Sequence, residues 1–131
     1  MPSSPNPAKT KILVVDDEAI IADTLALILN QSGFEAMAAY RGHQAVDLAS
    51  QSPPDVLLID IVMEDMTGID AALAIGKEHP DCSIIFISGH GDAPTMMDRY
   101  ARGLRCRLLP KPLHPEELLA ALRSLPARYA A

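Results

Sequence analysis

The sequence predicts a doubly wound α/β fold, one parallel sheet covered by helices on both faces, and three observations carry that reading. Strand-like and helix-like segments alternate five times along the chain. The connections between them are short, which places successive strands parallel with their helices packed across the sheet. Apolar content also differs between strand segments: the first, third and fourth are wholly apolar, while the second and fifth are mixed. Strands buried on both faces read as continuous apolar runs, so the first group belongs in the centre and the second at the edges. That distribution fits the order 2-1-3-4-5 of the flavodoxin-like (βα)5 fold.

Lys11-Ile12-Leu13-Val14-Val15 is the first strand, a run of β-branched residues and Leu. From Glu18 to Gln31, Ile21, Leu25, Ile28 and Leu29 recur at helical spacing, and Gly33 stands where a C-terminal cap belongs. Phe34 to Tyr40 is a weaker, Ala-rich strand. Gln44 to Ser50 is a short helix with Ala45, Val46, Leu48 and Ala49 on its inner face, ended by Pro53-Pro54. Val56-Leu57-Leu58-Ile59 is the third strand, followed by a loop and a helix from Ile69 to Glu78 that stops before Pro80. Ile84-Ile85-Phe86-Ile87 is the fourth. Pro94 opens a helix running to Arg102, closed by Gly103. Leu104 to Leu109 is a strand interrupted by Arg105 and Arg107. Pro115-Glu116-Glu117 starts the last helix, with Pro in the first turn and acids at the positive end of the dipole. Leu118, Leu119, Leu122 and Leu125 form its buried stripe.

The 131 residues are 49% hydrophobic and 21% charged, with a formal net charge of −6. One domain of this size buries about two-thirds of its unfolded surface, enough for a core without staples. The domain is expected over residues 10–126, between a disordered, Pro/Ser-rich tail at 1–9 and a C-terminal tail at 127–131. Every apolar run ends well short of the ~18 residues of a membrane span. Met1 to Thr10 has no apolar stretch behind a basic flank, so no signal peptide is read. Cys82 and Cys106 have neither C-x-x-C spacing nor the density of a secreted scaffold, which predicts a reducing, cytoplasmic setting. The acidic balance disfavours non-specific binding to nucleic acid or anionic membranes.

Three carboxylates stand out by position. Asp16 and Asp17 close the first strand and Asp60 closes the third. In the expected order these strands are neighbours bordering the switch point where such sheets bind ligands. Clustered carboxylates repel one another unless a cation lies among them. Oxygen donors with no accompanying His or Cys point to Mg2+ rather than zinc. A single Asp after a strand is often only a turn or N-cap residue. Asp17 alone fits that role as well as a ligand's; the trio does not. Ser88 follows the fourth strand and Lys111 the fifth. A hydroxyl and an ammonium on the rim of a carboxylate–Mg2+ site suit a phosphoryl group, whose oxygens need neutralising and a hydrogen-bond donor. Lys111 is braced between Pro110 and Pro112, unlike a flexible surface Lys, and Lys111–Pro112 is a candidate cis peptide.

Together these motifs resemble the receiver domain of bacterial two-component response regulators, of the stand-alone kind with no output domain in the chain. The resemblance runs from about Lys11 to Leu125. It rests on Val15-Asp16-Asp17-Glu18, on Leu58-Ile59-Asp60-Ile61-Val62-Met63 with Gly68 beyond, on Ile87-Ser88-Gly89-His90, and on Lys111-Pro112. It implies that Asp60 accepts a phosphoryl group from a phosphohistidine on a sensor histidine kinase or a histidine phosphotransfer protein. It implies that Asp17 coordinates Mg2+ directly, Asp16 largely through water and Val62 through its backbone carbonyl, beside Asp60 itself. Ser88 and Lys111 would hold the phosphoryl oxygens. Output would pass by protein–protein contact or onward phosphotransfer, with no turnover of other substrates. Two departures from the family matter. Glu64 follows Met63 where Pro is usual, which frees φ and adds a charge. Leu108 stands where Tyr or Phe is usual, with one extra residue between Gly103 and Lys111, so the ring that swings inward on phosphorylation is missing; Tyr100 is a weak substitute. Val62 and His90 occupy positions that tune hydrolysis of the acyl phosphate, and an apolar Val62 cannot orient a water.

Arg99, Arg102, Arg105, Arg107 and Lys111 give residues 99–111 five positive charges and no acid. That asymmetry fits a docking surface for an acidic downstream partner or a second copy, and equally a solvated basic face. Direct nucleic-acid contact is less favoured without interleaved aromatics. Met63, Met66, Met96 and Met97 read as packing, Cys82 and Cys106 as unrelated thiols, and His43, His79 and His114 as surface or loop residues. A flavin site would need Gly, Ser or Thr where Asp16-Asp17-Glu18 stands, and a haloacid-dehalogenase-like phosphatase would need an acid at Val62. The remaining alternative is a phosphorylation-independent interaction module on the receiver fold. Glu64 and Leu108 favour it; Asp16, Asp17, Asp60, Ser88 and Lys111 oppose it, because a scaffold has no need of an acidic cluster that is costly to desolvate.

Overall fold

Five strands and four helices make up a computed structural model that describes residues 9–63, 65–89 and 106–125. In chain order they are β1 (Lys11–Val15), α1 (Ala19–Gln31), β2 (Glu35–Ala39), α2 (Gly42–Gln51), β3 (Val56–Asp60), α3 (Gly68–Glu78), β4 (Ser83–Ser88), β5 (Cys106–Pro110) and α4 (Pro115–Arg123). The helix expected over 94–102, with Tyr100, Met96, Met97, Arg99 and Arg102, lies outside the described residues. So do Glu64, His90, Gly103, Leu104, Arg105, most of the N-terminal tail and residues 126–131.

The sheet runs β2-β1-β3-β4-β5 with every neighbouring pair parallel, the order that the apolar strands predict. β3 and β4 are buried at every position, whereas β2 is buried only at Ala39 and β5 has no fully buried position. Side chains alternate across the sheet, and two cores result. Leu13, Val15, Leu57, Ile59, Ile84 and Phe86 pack with Ala45, Ala49, Ile69 and Ile75 of α2 and α3. Ile12, Val14, Val56, Leu58, Ile85 and Ile87 pack with Ala22, Leu25, Leu29, Leu118 and Leu122 of α1 and α4. Ala121 joins the buried stripe of α4, while Leu119 and Leu125 sit half-buried at its flank.

Two residues past the end of α1 stands Gly33, whose φ of 98° is the left-handed conformation a terminating glycine supplies. α2 starts two residues before the predicted Gln44, for a reason that lies outside its own sequence and is described below. The outer edge of β2 is partly closed by side chains. The Asn30 amide accepts the Ala36 N–H at 2.8 Å and donates to the Ala36 carbonyl at 3.1 Å, copying the pairing of a further strand. Gln44 Oε1 accepts the Tyr40 N–H at 2.8 Å. Such groups shield an edge from pairing with another sheet.

Register decides what meets at the carboxyl ends. Val15 lies opposite Ala39 and Ile59, Asp60 opposite Ile87, and Ser88 opposite Pro110. Asp16, Asp60, Ser88 and Lys111 are therefore brought to one end of the sheet from four separate segments.

Candidate functional site

Asp16 uses its two oxygens differently. Oδ1 accepts the Glu18 N–H at 2.9 Å, a turn bond that leads into α1. Oδ2 is buried, accepts no hydrogen bond from the described residues, and faces the Lys111 ammonium at 3.6 Å. The turn role and the ligand role thus belong to different atoms of one side chain. Burial is the main influence on this carboxyl and raises its pKa; the Glu18 N–H and Lys111 oppose the rise, and the charges of Asp60 and Asp17 add to it.

Asp60 is also buried. Its Oδ2 accepts a hydrogen bond from Lys111 Nζ at 2.9 Å, and its Oδ1 accepts the Val62 N–H at 3.2 Å. Burial works against the Lys111 charge, but the Asp60 hydrogen bond and charge, followed by Asp16, overcome it and hold the ammonium pKa above its ordinary value. Ser88 is buried at the end of β4, and its carbonyl accepts the Lys111 N–H at 2.9 Å. The Lys111–Pro112 bond, a candidate cis peptide from the sequence, is cis.

One oxygen each from Asp16, Asp17 and Asp60 lies within 4.8 Å of the others, the one such group of potential metal ligands among the described residues. Opposite ligands of octahedral Mg2+ stand about 4.2 Å apart and adjacent ones about 3 Å. Separations of no more than 4.8 Å are on the scale that a small, hard cation spans. Asp16 Oδ2, buried without a donor, is the atom whose environment a cation would complete.

The segment after Asp60 is held closely. The Gly68 N–H donates to the Ile61 carbonyl at 2.6 Å, and a Cβ at Gly68 would run into the Asp60 carbonyl. Thr67 caps α3 by accepting the Asp70 N–H at 3.1 Å. Asp65 reaches α2: its Oδ1 accepts the Gly42 N–H and its Oδ2 the His43 N–H, both at 2.9 Å. These donors, His43 first, hold its carboxyl below the usual carboxylate range. Sequence reasoning missed Asp65; the available signal was the lack of a capping side chain at Arg41. It also missed an open groove of about 510 Å³ beside the acids, lined by Ile21, Leu25, Ile87, Lys111, Pro112 and Leu113.

Other expectations are redrawn. Lys111 does not belong to an outward basic face, because its ammonium turns inward to Asp60. Arg107 is exposed and donates to Ser124 Oγ at the end of α4. Leu108 is half-buried against the core beneath α2 and α3. Met63 is core and Met66 packs against it. Cys82 and Cys106 are free thiols, Cys82 pushed up to about 12 chiefly by burial and Cys106 raised by burial, so neither is a thiolate at neutral pH. His43 is exposed and pairs with Asp65, and His114 is exposed at the start of α4. His79 lies in the loop after α3 as expected, half-buried, and its buried Nε2 has no partner among the described residues.

The sequence profile of the response regulator receiver domain matches residues 12–123. The chemotaxis protein CheY of Thermotoga maritima is 32% identical over 116 residues, covering 88% of this chain and 96% of that protein. The transcriptional regulatory protein CpxR of Escherichia coli K12 is 35% identical over 118 residues, covering 88% of this chain and 48% of that protein. The cell cycle transcriptional regulator CtrA of Caulobacter vibrioides is 27% identical, and the chain spans 51% of its length. The chain thus spans about half the length of several curated relatives. Among solved structures, chemotaxis protein CheY4 of Vibrio cholerae superposes with a TM-score of 0.79 at 28% identity, covering 88% of this chain and 98% of that one. No helix among the described residues is long and apolar enough to cross a membrane.

Proposed function

Because the chain belongs to the response regulator receiver domain family of two-component signalling, we propose that Asp60 is its phosphoacceptor, taking a phosphoryl group from a phosphohistidine donor. The observation that carries this reading is the pairing of Asp60 Oδ2 with Lys111 Nζ beside the Asp16–Asp17–Asp60 oxygen cluster. In the transfer, an Asp60 carboxylate oxygen forms a bond to phosphorus as the phosphorus–nitrogen bond of the donor imidazole breaks and the electron pair leaves with that nitrogen. Lys111 offers positive charge to the incoming phosphoryl oxygens, and the Ser88 hydroxyl offers them a hydrogen bond. Asp16, Asp17, Asp60 and the Val62 carbonyl are the proposed Mg2+ ligands; the ion, when bound, offsets the negative charge that carboxylates and phosphoryl oxygens bring together.

The donor is a sensor histidine kinase or a histidine phosphotransfer protein. The apolar groove beside Lys111, lined by Ile21 and Leu25 of α1 and by Pro112 and Leu113, supports an approach over α1 and the segment after β5. Output passes to a protein partner or onward by phosphotransfer, without a substrate turnover of its own. One observation favours the second reading, a receiver fold that signals without phosphate: Leu108 fills a half-buried core position with no ring to move.

Acid-quenched intact-mass spectrometry after incubation with acetyl phosphate, with and without Mg2+, separates the two. A Mg2+-dependent gain of one phosphoryl group, absent in Asp60→Ala, is expected. No gain at early quench times would leave the phosphate-independent module as the reading.

A further inference from the structure

We infer that Asp65 is a positioning residue for the phosphoacceptor site: by capping α2 from the segment that follows Asp60, it anchors the backbone that carries Val62. The inference rests on the phosphoacceptor reading and adds to it a residue and an element, α2, that the chemistry itself does not call for.

α2 begins without a local cap. Its N-cap residue is Arg41, which makes no side-chain capping bond, and no acid stands in its first turn. The first N–H groups of a helix need acceptors from somewhere. Asp65 supplies two, to Gly42 and His43 at 2.9 Å each, and its Oδ2 also lies 2.7 Å from His43 Nδ1. A carboxylate there also faces the positive end of the helix dipole. Packing reinforces the tie, because a Cβ on Gly42 would collide with the Met66 side chain that lies over it.

The segment has a second anchor near α3, where the Gly68 N–H meets the Ile61 carbonyl at 2.6 Å. Val62 stands between the two anchors. Its N–H donates to Asp60 Oδ1 at 3.2 Å, and its carbonyl is the proposed Mg2+ ligand. With Asp65 removed, one anchor is gone and that carbonyl has to be ordered when the cation binds. Ordering of this kind weakens binding. Linkage requires the converse as well: a cation that orders the segment must also steady the α2 cap.

The test is a Mg2+ titration of the full chain by NMR, following the backbone amides of Asp60, Ile61, Val62 and Gly68. Amide exchange at Gly42 and His43 is measured in the same samples with and without Mg2+. Asp65→Ala is expected to raise the Kd for Mg2+ about fivefold, the size of a lost helix cap. Asp65→Asn keeps one acceptor oxygen and is expected to fall between. Mg2+ is expected to slow exchange at Gly42 and His43 in the wild type and to leave it fast in Asp65→Ala. A helix cap that served stability alone would lower the melting temperature without moving the Mg2+ Kd. Circular dichroism checks the fold of each variant, and Asp65→Asn carries the comparison if Asp65→Ala does not fold. Equal Kd values in the folded proteins, or wild-type α2 amides indifferent to Mg2+, overturn the inference and leave the phosphoacceptor reading standing. A wild type that neither binds Mg2+ nor takes up phosphoryl overturns that reading and the inference with it.

Discussion

Replacing Lys111 by Met keeps the aliphatic stem and removes the ammonium, leaving Asp16 and Asp60 buried without their cation. Asp16, Asp17, Asp60 and Lys111 together carry two net negative charges when all are ionised; the variant carries three. The bond lost is charge-assisted, at 2.9 Å to Asp60 Oδ2, with a second contact of 3.6 Å to Asp16 Oδ2. A hydrogen bond to a charged group is worth about 1.5–3 kcal/mol, and breaking a fully buried ion pair costs about 3–5 kcal/mol. The Lys111 side chain is 27% exposed, so water recovers part of the loss and the lower range applies, about 2 kcal/mol. For a domain of this size that is a fall in Tm of about 6–8 °C. Thermal unfolding followed by far-UV circular dichroism in the presence of a chelator reads it directly, and the chain has no Trp to offer instead. In an Asp60→Asn background the same replacement is expected to cost only about half as much. Mg2+ at ten times its Kd adds about 1.4 kcal/mol, and it is expected to narrow the gap because the more negative variant binds it more tightly. A coupling between positions 60 and 111 below about 0.5 kcal/mol, the level at which independent sites add, would refute the view that Lys111 is the internal counter-ion.

Three further outcomes follow from other parts of the fold. Gly68→Ala sets a Cβ against the Asp60 backbone carbonyl and is expected to destabilise the protein by about 2 kcal/mol or more, while blunting phosphorylation through displacement of Asp60; wild-type Tm and rate would show that the segment yields freely. Asn30→Ala removes both bonds to Ala36 at a cost of about 1 kcal/mol, and opening the β2 edge is expected to produce concentration-dependent association by light scattering, absent in the wild type. The Asp65 carboxyl is held below its ordinary 3.8 by the His43 and Gly42 N–H groups, so its stabilisation is present above that value and is lost as pH falls through the lower folded value. The Tm difference between wild type and Asp65→Asn is therefore expected to be constant near neutral pH and to shrink below 3.8; a gap that persists in strong acid would exclude the charge as its source.

The strand order was legible because burial on both faces leaves no polar residue in β1 beyond Lys11 or in the apolar runs of β3 and β4, a pattern written locally in each segment. Asp16, Asp17, Asp60, Ser88 and Lys111 were legible for a related reason: each sits directly at the end of a strand, and a parallel sheet collects its strand ends. What escaped depends on side chains that cross between elements. The start of α2 is set by Asp65, 23 positions away from Gly42, so no scan of α2 itself could find it. The apolar groove is assembled from α1, β4 and the segment after β5. Counting charges over residues 99–111 could not tell that Lys111 points inward while Arg107 points to Ser124.

Lys111 meets Asp60 across 51 positions of sequence, from the last strand of the sheet. A chain released before β5 would possess every acid of the site and lack the ammonium that tempers them. Such a fragment gathers its carboxylates without the positive charge that offsets them in the finished sheet. The counter-ion arrives only with the last strand, so the acidic cluster is balanced only once the sheet is complete.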